Sequence, residues 1–161
     1  LKECNSLDVT QSTSDAIVVD KAVNISGNKN FGKLTVLKLE GKLSLSGTGS
    51  SIAVNSLSEG TPQVAINSKY ADVKLPLSTL PDYAVYYEGS FNDVSKTSTV
   101  TQQLNSLSKL NTSLTVQKDT LSLDYKNKNI AKTILKANAG NTNGEHAKID
   151  IVCPYCNVVF Y

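Results

Sequence analysis

The sequence has no arginine, no tryptophan and no methionine, and its 161 residues include one histidine, three cysteines and four prolines. Each shortage excludes something. All 16 positive side chains are lysines, scattered over a chain whose net charge is only +2. Proteins that read nucleic acid lean on arginine forks and clustered basic patches, so no nucleic-acid partner is expected. No basic amphipathic helix is visible for an anionic bilayer surface, and no apolar run approaches the roughly 18 residues of a membrane span. Without an initiator methionine, the opening Leu1-Lys2-Glu3-Cys4 suggests a processed chain from which any signal peptide has been removed.

Catalytic patterns are missing too. There is no Gly-x-Ser-x-Gly turn and no phosphate-cradling glycine motif. His146 stands alone after a Gly/Asn loop, and an isolated, solvated imidazole makes no general base by itself. Asp72, Asp82, Glu88 and Asp93 lie near one another in sequence but are expected to be turn residues facing water. The chain is therefore read as a non-enzyme with no cofactor and no metal.

What the chain does have is 40% apolar residues, few charges and many Ser, Thr and Asn, which suits a single domain over 1–161 rather than a disordered chain. Four segments echo one another: Val23-Asn24-Ile25-Ser26-Gly27, Leu43-Ser44-Leu45-Ser46-Gly47, Val64-Ala65-Ile66-Asn67-Ser68 and Val85-Tyr86-Tyr87-Glu88-Gly89. Aligned on Ile25, Leu45, Ile66 and Tyr87, they fall 20, 21 and 21 residues apart. Each places two large residues on one face of an extended segment and then meets a small residue, the pattern of a half-buried strand closed by a turn. A second series, containing Leu37, Val54 and Val73, keeps a looser beat of similar length. A recurring interval of this size marks a solenoid.

The expected fold is all-β: a short right-handed parallel β-helix, regular over 17–94, with Ile25, Leu45, Ile66 and Tyr87 in one inward ladder. The alternative is an antiparallel β-sandwich, which turn signals every 8–12 residues also fit. From 98 to 114 the period changes. Val100, Leu104, Leu107, Leu110 and Leu114 make a helical stripe with Thr99 and Gln102 as a capping box, predicting a capping helix. Residues 114–161 then read as a small antiparallel cap.

Cys4, Cys153 and Cys156 sit at the extremities. A disulfide from Cys4 to Cys156 is expected, with the first and last strands side by side. Cys156 is preferred over Cys153 because Pro154 fixes the chain just after Cys153. Such a crosslink would close about 150 residues and stabilise by roughly 4–5 kcal/mol; it also implies an oxidising compartment. Asn24 and Asn111 head Asn-x-Ser/Thr triplets that permit N-glycosylation. Cys153-Pro154-Tyr155-Cys156 resembles the redox motif of glutaredoxins, which implies a thiolate at a helix N-terminus; here only five residues follow. It also resembles half a zinc ribbon, implying a Cys3His site with Cys4 and His146, but the second Cys-x-x-Cys is missing.

Tyr83, Tyr86 and Tyr87, with Phe91 nearby, form the one aromatic concentration. The composition is similar to that of surface β-solenoid adhesins and surface-layer proteins. The expected function is a non-catalytic structural or adhesive module, secreted or at the cell surface, in a wall, surface layer or matrix. Its partners would be copies of itself or other surface proteins. Rival expectations are a carbohydrate-binding module using Tyr83, Tyr86, Tyr87 and Phe91, whose rings stack on sugar faces, and a glycan-active enzyme whose site converges only in three dimensions.

Overall fold

A computed structural model describes residues 1–13, 15–59, 62–91, 113–123, 128–141 and 143–161. They form eleven strands: β1 (Glu3–Thr13), β2 (Ala16–Asn30), β3 (Lys33–Thr48), β4 (Ser51–Val54), β5 (Gln63–Lys69), β6 (Asp72–Leu75), β7 (Tyr83–Phe91), β8 (Ser113–Leu123), β9 (Lys128–Ala139), β10 (Ala147–Val152) and β11 (Asn157–Phe160). All belong to one curled, mixed sheet. The β7–β9 and β8–β9 pairings are antiparallel and the others parallel, so the two-sheet antiparallel sandwich is not the arrangement found.

β1, β2 and β3 stack in parallel, and the sheet then forks. The first half of β3 carries a short arm, β4-β6-β11, and its second half a long arm, β5-β10-β7-β9-β8. Apolar residues from both arms meet in a single core. On the long arm one unbroken row runs Leu7–Ile25–Leu43–Val64–Ile149–Val85, and on the short arm another runs Ile17–Leu34–Ile52–Val73–Val158.

These rows reveal a twelve-residue unit present four times, at 25–36, 43–54, 64–75 and 149–160. The strand ladders place the copies in matching register. Each copy is a long-arm strand, a corner and a short-arm strand. The corner residues Phe31, Gly49, Tyr70 and Tyr155 all have left-handed backbone, with φ of 58°, 64°, 52° and 58°. Their amides bind the next copy: Phe31 N–H donates to Thr48 O at 2.8 Å, Gly49 N–H to Lys69 O at 2.8 Å, and Tyr70 N–H to Pro154 O at 3.1 Å. The left-handed residue at each corner, followed in the first corner by a second one, Gly32 at φ 67°, swings the chain from one arm to the other, and the small residues behind it (Gly32, Ser50, Ala71, Cys156) fit the inside of the bend.

The expected ladder is corrected in three respects. Ile25 pairs with Leu43, two residues earlier than the aligned Leu45, because the first two copies are 18 residues apart. Leu45 does pair with Ile66, but Ile151 of β10 lies between Ile66 and Tyr87. Gly27 and Gly47 are not turns; both lie inside strands, and a Cβ on Gly27 would collide with the carbonyl oxygen of Val9 on β1.

No helix occurs among the described residues. The predicted capping helix lies outside them except for Ser113 and Leu114, which open β8. Of the expected antiparallel cap, only β8 and β9 are antiparallel, whereas β10 inserts in parallel between β5 and β7 and β11 continues the short arm.

Candidate functional site

The expected aromatic group is divided by the pleat of β7. Alternate side chains point to opposite faces, so Tyr83 and Tyr87 enter the core, at 2% and 0% exposure, while Tyr86 faces outward and is half-buried. Burial raises the Tyr83 phenol above its ordinary pKa. Phe91 ends β7 opposite Ala131, and its side chain lies outside the described residues. Among the described side chains of this group, Tyr86 is the one available to a ligand.

Tyr86 is held in place. Its hydroxyl donates to Glu88 Oε2 at 2.9 Å, and Glu88 Oε1 pairs with Lys132 Nζ at 2.9 Å. The lysine beside Glu88 holds its carboxyl below the usual range, and the hydrogen bond to Glu88 raises the Tyr86 phenol. Two shallow hollows lie on this outer face and share Asp150. One, of about 360 Å³, runs over the small residues Ser26, Ser44 and Ala65. The other, of about 280 Å³, lies between Tyr86, Lys136, Lys148 and His146.

The disulfide joins Cys153 to Cys156, Cα to Cα 5.5 Å, and not Cys4 to Cys156. Cys4 is a free, half-buried thiol 3.9 Å from the carbonyl of Lys21. The reason is distance. Cys4 on β1 is separated from β10 by β2, β3 and β5, about 19 Å at the usual strand spacing and far beyond disulfide reach. The first and last strands are likewise not neighbours, since β1 pairs with β2 and β11 with β6. The observed bond ties together two inward positions of the fourth corner, and Cys156 Sγ accepts the Ala71 amide at 3.2 Å. With both cysteines bonded to each other, neither is a thiolate ligand, and no cluster of three metal-ligating side chains occurs among the described residues. Asp72 opens β6 on the short arm, Asp82 lies just ahead of β7 and Glu88 within β7 on the long arm, and Asp93 lies outside the described residues.

A second aromatic feature escaped the sequence reading. Phe31 and Tyr70 are 53% and 63% exposed, and the Tyr70 ring stacks on Tyr155 with centroids 5.1 Å apart. All three are corner residues of the twelve-residue unit. At the remaining corner, Gly49 leaves room for the Phe31 ring, which a Cβ there would approach to 2.8 Å. The signal was the recurrence Phe31-Gly32-Lys33-Leu34, Gly49-Ser50-Ser51-Ile52, Tyr70-Ala71-Asp72-Val73 and Tyr155-Cys156-Asn157-Val158. Comparison with known proteins returns no matching family model, no matching curated protein and no matching solved structure.

Proposed function

We propose that this chain is a non-catalytic structural or adhesive module, secreted or displayed at a cell surface, built as a short right-handed parallel β-helix. The observation that carries the reading is the fourfold stack of one twelve-residue unit on shared corners and core rows. Stacked repeats of this kind yield a stiff body with long faces rather than a deep cleft. The Cys153–Cys156 bond supports an oxidising compartment, and copies of the chain or other surface proteins are the fitting partners. Antibody labelling of intact source cells or their matrix, combined with thiol counting on the isolated protein, tests it. Surface or matrix signal with one free thiol is expected; cytosolic protein with three free thiols overturns it.

A second reading, glycan binding, is favoured by the pinned outward ring of Tyr86 beside its hollow. Preorganised aromatic rings flanked by polar groups suit sugar faces. Binding of any saccharide that is lost in Tyr86→Ala, with unchanged thermal stability, supports it; a full glycan array without a hit removes it.

A further inference from the structure

The hollow beside Tyr86 has a definite construction. Strand register sets Lys148, Ala84 and Asn138 side by side on β10, β7 and β9, and one step along it sets Asp150, Tyr86 and Lys136. All alternate with core positions and face outward. Ala84 has the shortest side chain of the six, so its longer neighbours wall in the space above it. His146, just ahead of β10, stands at the margin with Nδ1 2.8 Å from Gly144 O. The Tyr86 hydroxyl is already committed to Glu88, which leaves the ring as apolar surface whose orientation is fixed before any ligand arrives. Two ammonium groups face one carboxylate, so the hollow is positive on balance.

We propose that the hollow over Ala84 binds an acidic saccharide, one ring of which lies against Tyr86 while its carboxylate or sulfate is held by Lys136 and Lys148. The proposal rests on the glycan-binding reading and gives it a ligand class. A sugar ring offers a C–H face to an aromatic ring and hydroxyls to an amide such as Asn138. A neutral sugar can accept hydrogen bonds from the two ammoniums but has no charge to pair with them. Asp150 opposes the anion and limits its affinity, which makes the sign of one substitution diagnostic.

The test is calorimetric titration of the full chain with an oligogalacturonate, a heparin-derived tetrasaccharide and neutral cellotetraose, with polyglutamate as a charge control. At least one acidic sugar is expected to bind, more weakly as salt rises, and the one preferred distinguishes carboxylate from sulfate. Tyr86→Ala should weaken binding by about tenfold or more, while Tyr86→Phe, which keeps the ring, should stay within about twofold. The double variant Lys136→Gln/Lys148→Gln should lose about tenfold, and Asp150→Asn should tighten binding several-fold, roughly the effect of removing one nearby like charge. Thermal melts confirm that each variant is folded. Equal binding of cellotetraose overturns the acidic class and leaves the glycan reading standing; binding to no saccharide removes both. Equal binding of polyglutamate, or weaker binding in Asp150→Asn, also overturns the proposal.

Discussion

The first three copies of the twelve-residue unit lie within residues 25–75, whereas the fourth, 149–160, arrives after a long excursion through β7, β8 and β9. Yet it stacks in the same register on the third copy, β10 on β5 and β11 on β6. The position corresponding to Cys153 holds Lys29, Gly47 and Ser68 in the other copies, and the position corresponding to Cys156 holds Gly32, Ser50 and Ala71. Geometric fit, not adjacency along the chain, therefore selects the occupant of each level. The entropy of the detour is modest, because loop closure grows with the logarithm of length: 73 residues between copies cost roughly 2 kcal/mol more than the six between the first two. The remote copy is also the one with a covalent tie at its corner.

The hardest way to break the comparison is to remove the fourth copy. Ending the chain at Glu145 deletes Ile149, Ile151, Val158 and Phe160, all buried, and leaves β5 and β7 without the strand between them. Burial of those four side chains is worth roughly 6–12 kcal/mol, comparable with the whole stability of a domain. The truncated chain should show no cooperative melt and no dispersed amide spectrum. A folded truncation would mean that the first three copies are self-sufficient and the fourth is an appendage.

This dependence explains how much was legible beforehand. Strand periodicity and the all-β class could be read because Ile25, Leu43, Val64 and their neighbours alternate openly with polar residues. The 20-residue beat, however, takes Val85 to Gly89 as its fourth segment, which lies in β7 and in none of the four copies. The exact register could not be read, because Gly27 stands where Leu45 and Ile66 stand in later copies, so alignment on large residues slips by two. The membership of 149–160 was hidden by distance, and its cysteines drew attention to redox and metal chemistry instead of to the corner they share with Phe31 and Tyr70. The division of the tyrosines was readable from period two alone, since Tyr83, Val85 and Tyr87 alternate with Ala84 and Tyr86.

A smaller effect separates the corners. Gly49→Ala puts a Cβ at left-handed φ and against the Phe31 ring, for an expected loss of about 2 kcal/mol, of which roughly half is backbone strain and the rest collision with a displaceable ring. In the Phe31→Ala background the same change should cost noticeably less, and a double-mutant cycle by urea melts measures the coupling. Full additivity would show that the ring does not occupy the space Gly49 leaves. At the neighbouring corner, Tyr70→Gly relieves backbone strain while losing the Tyr155 stack, so the two contributions of about 1 kcal/mol should nearly cancel.

Replacing both cysteines, Cys153→Ala with Cys156→Ala, opens a four-residue loop. Loop entropy assigns such a short crosslink about 2 kcal/mol. The three other corners hold without one, so the variant should fold with a lower melting temperature and an unchanged strand spectrum. A melt unmoved by reduction would mean that stacking alone secures the fourth copy.

The smallest difference expected is between two buried serines. Ser68 is buried on β5 and donates to Gly47 O at 3.0 Å, whereas Ser50, buried inside the second corner, has no hydrogen-bond partner for its hydroxyl among the described residues. Ser68→Ala removes a net-favourable bond and should cost about 1 kcal/mol, whereas Ser50→Ala removes an unsatisfied buried oxygen and should be neutral or stabilising by up to about 1 kcal/mol. Alanine already fills the Ser50 position in the third copy, as Ala71, so the methyl fits this corner. Paired chemical-denaturation curves, with equal slopes so that midpoints compare directly, decide the matter. If Ser50→Ala proves the more damaging of the two, the hydroxyl must be bound by something at that corner, and the corners are then not interchangeable copies of one design.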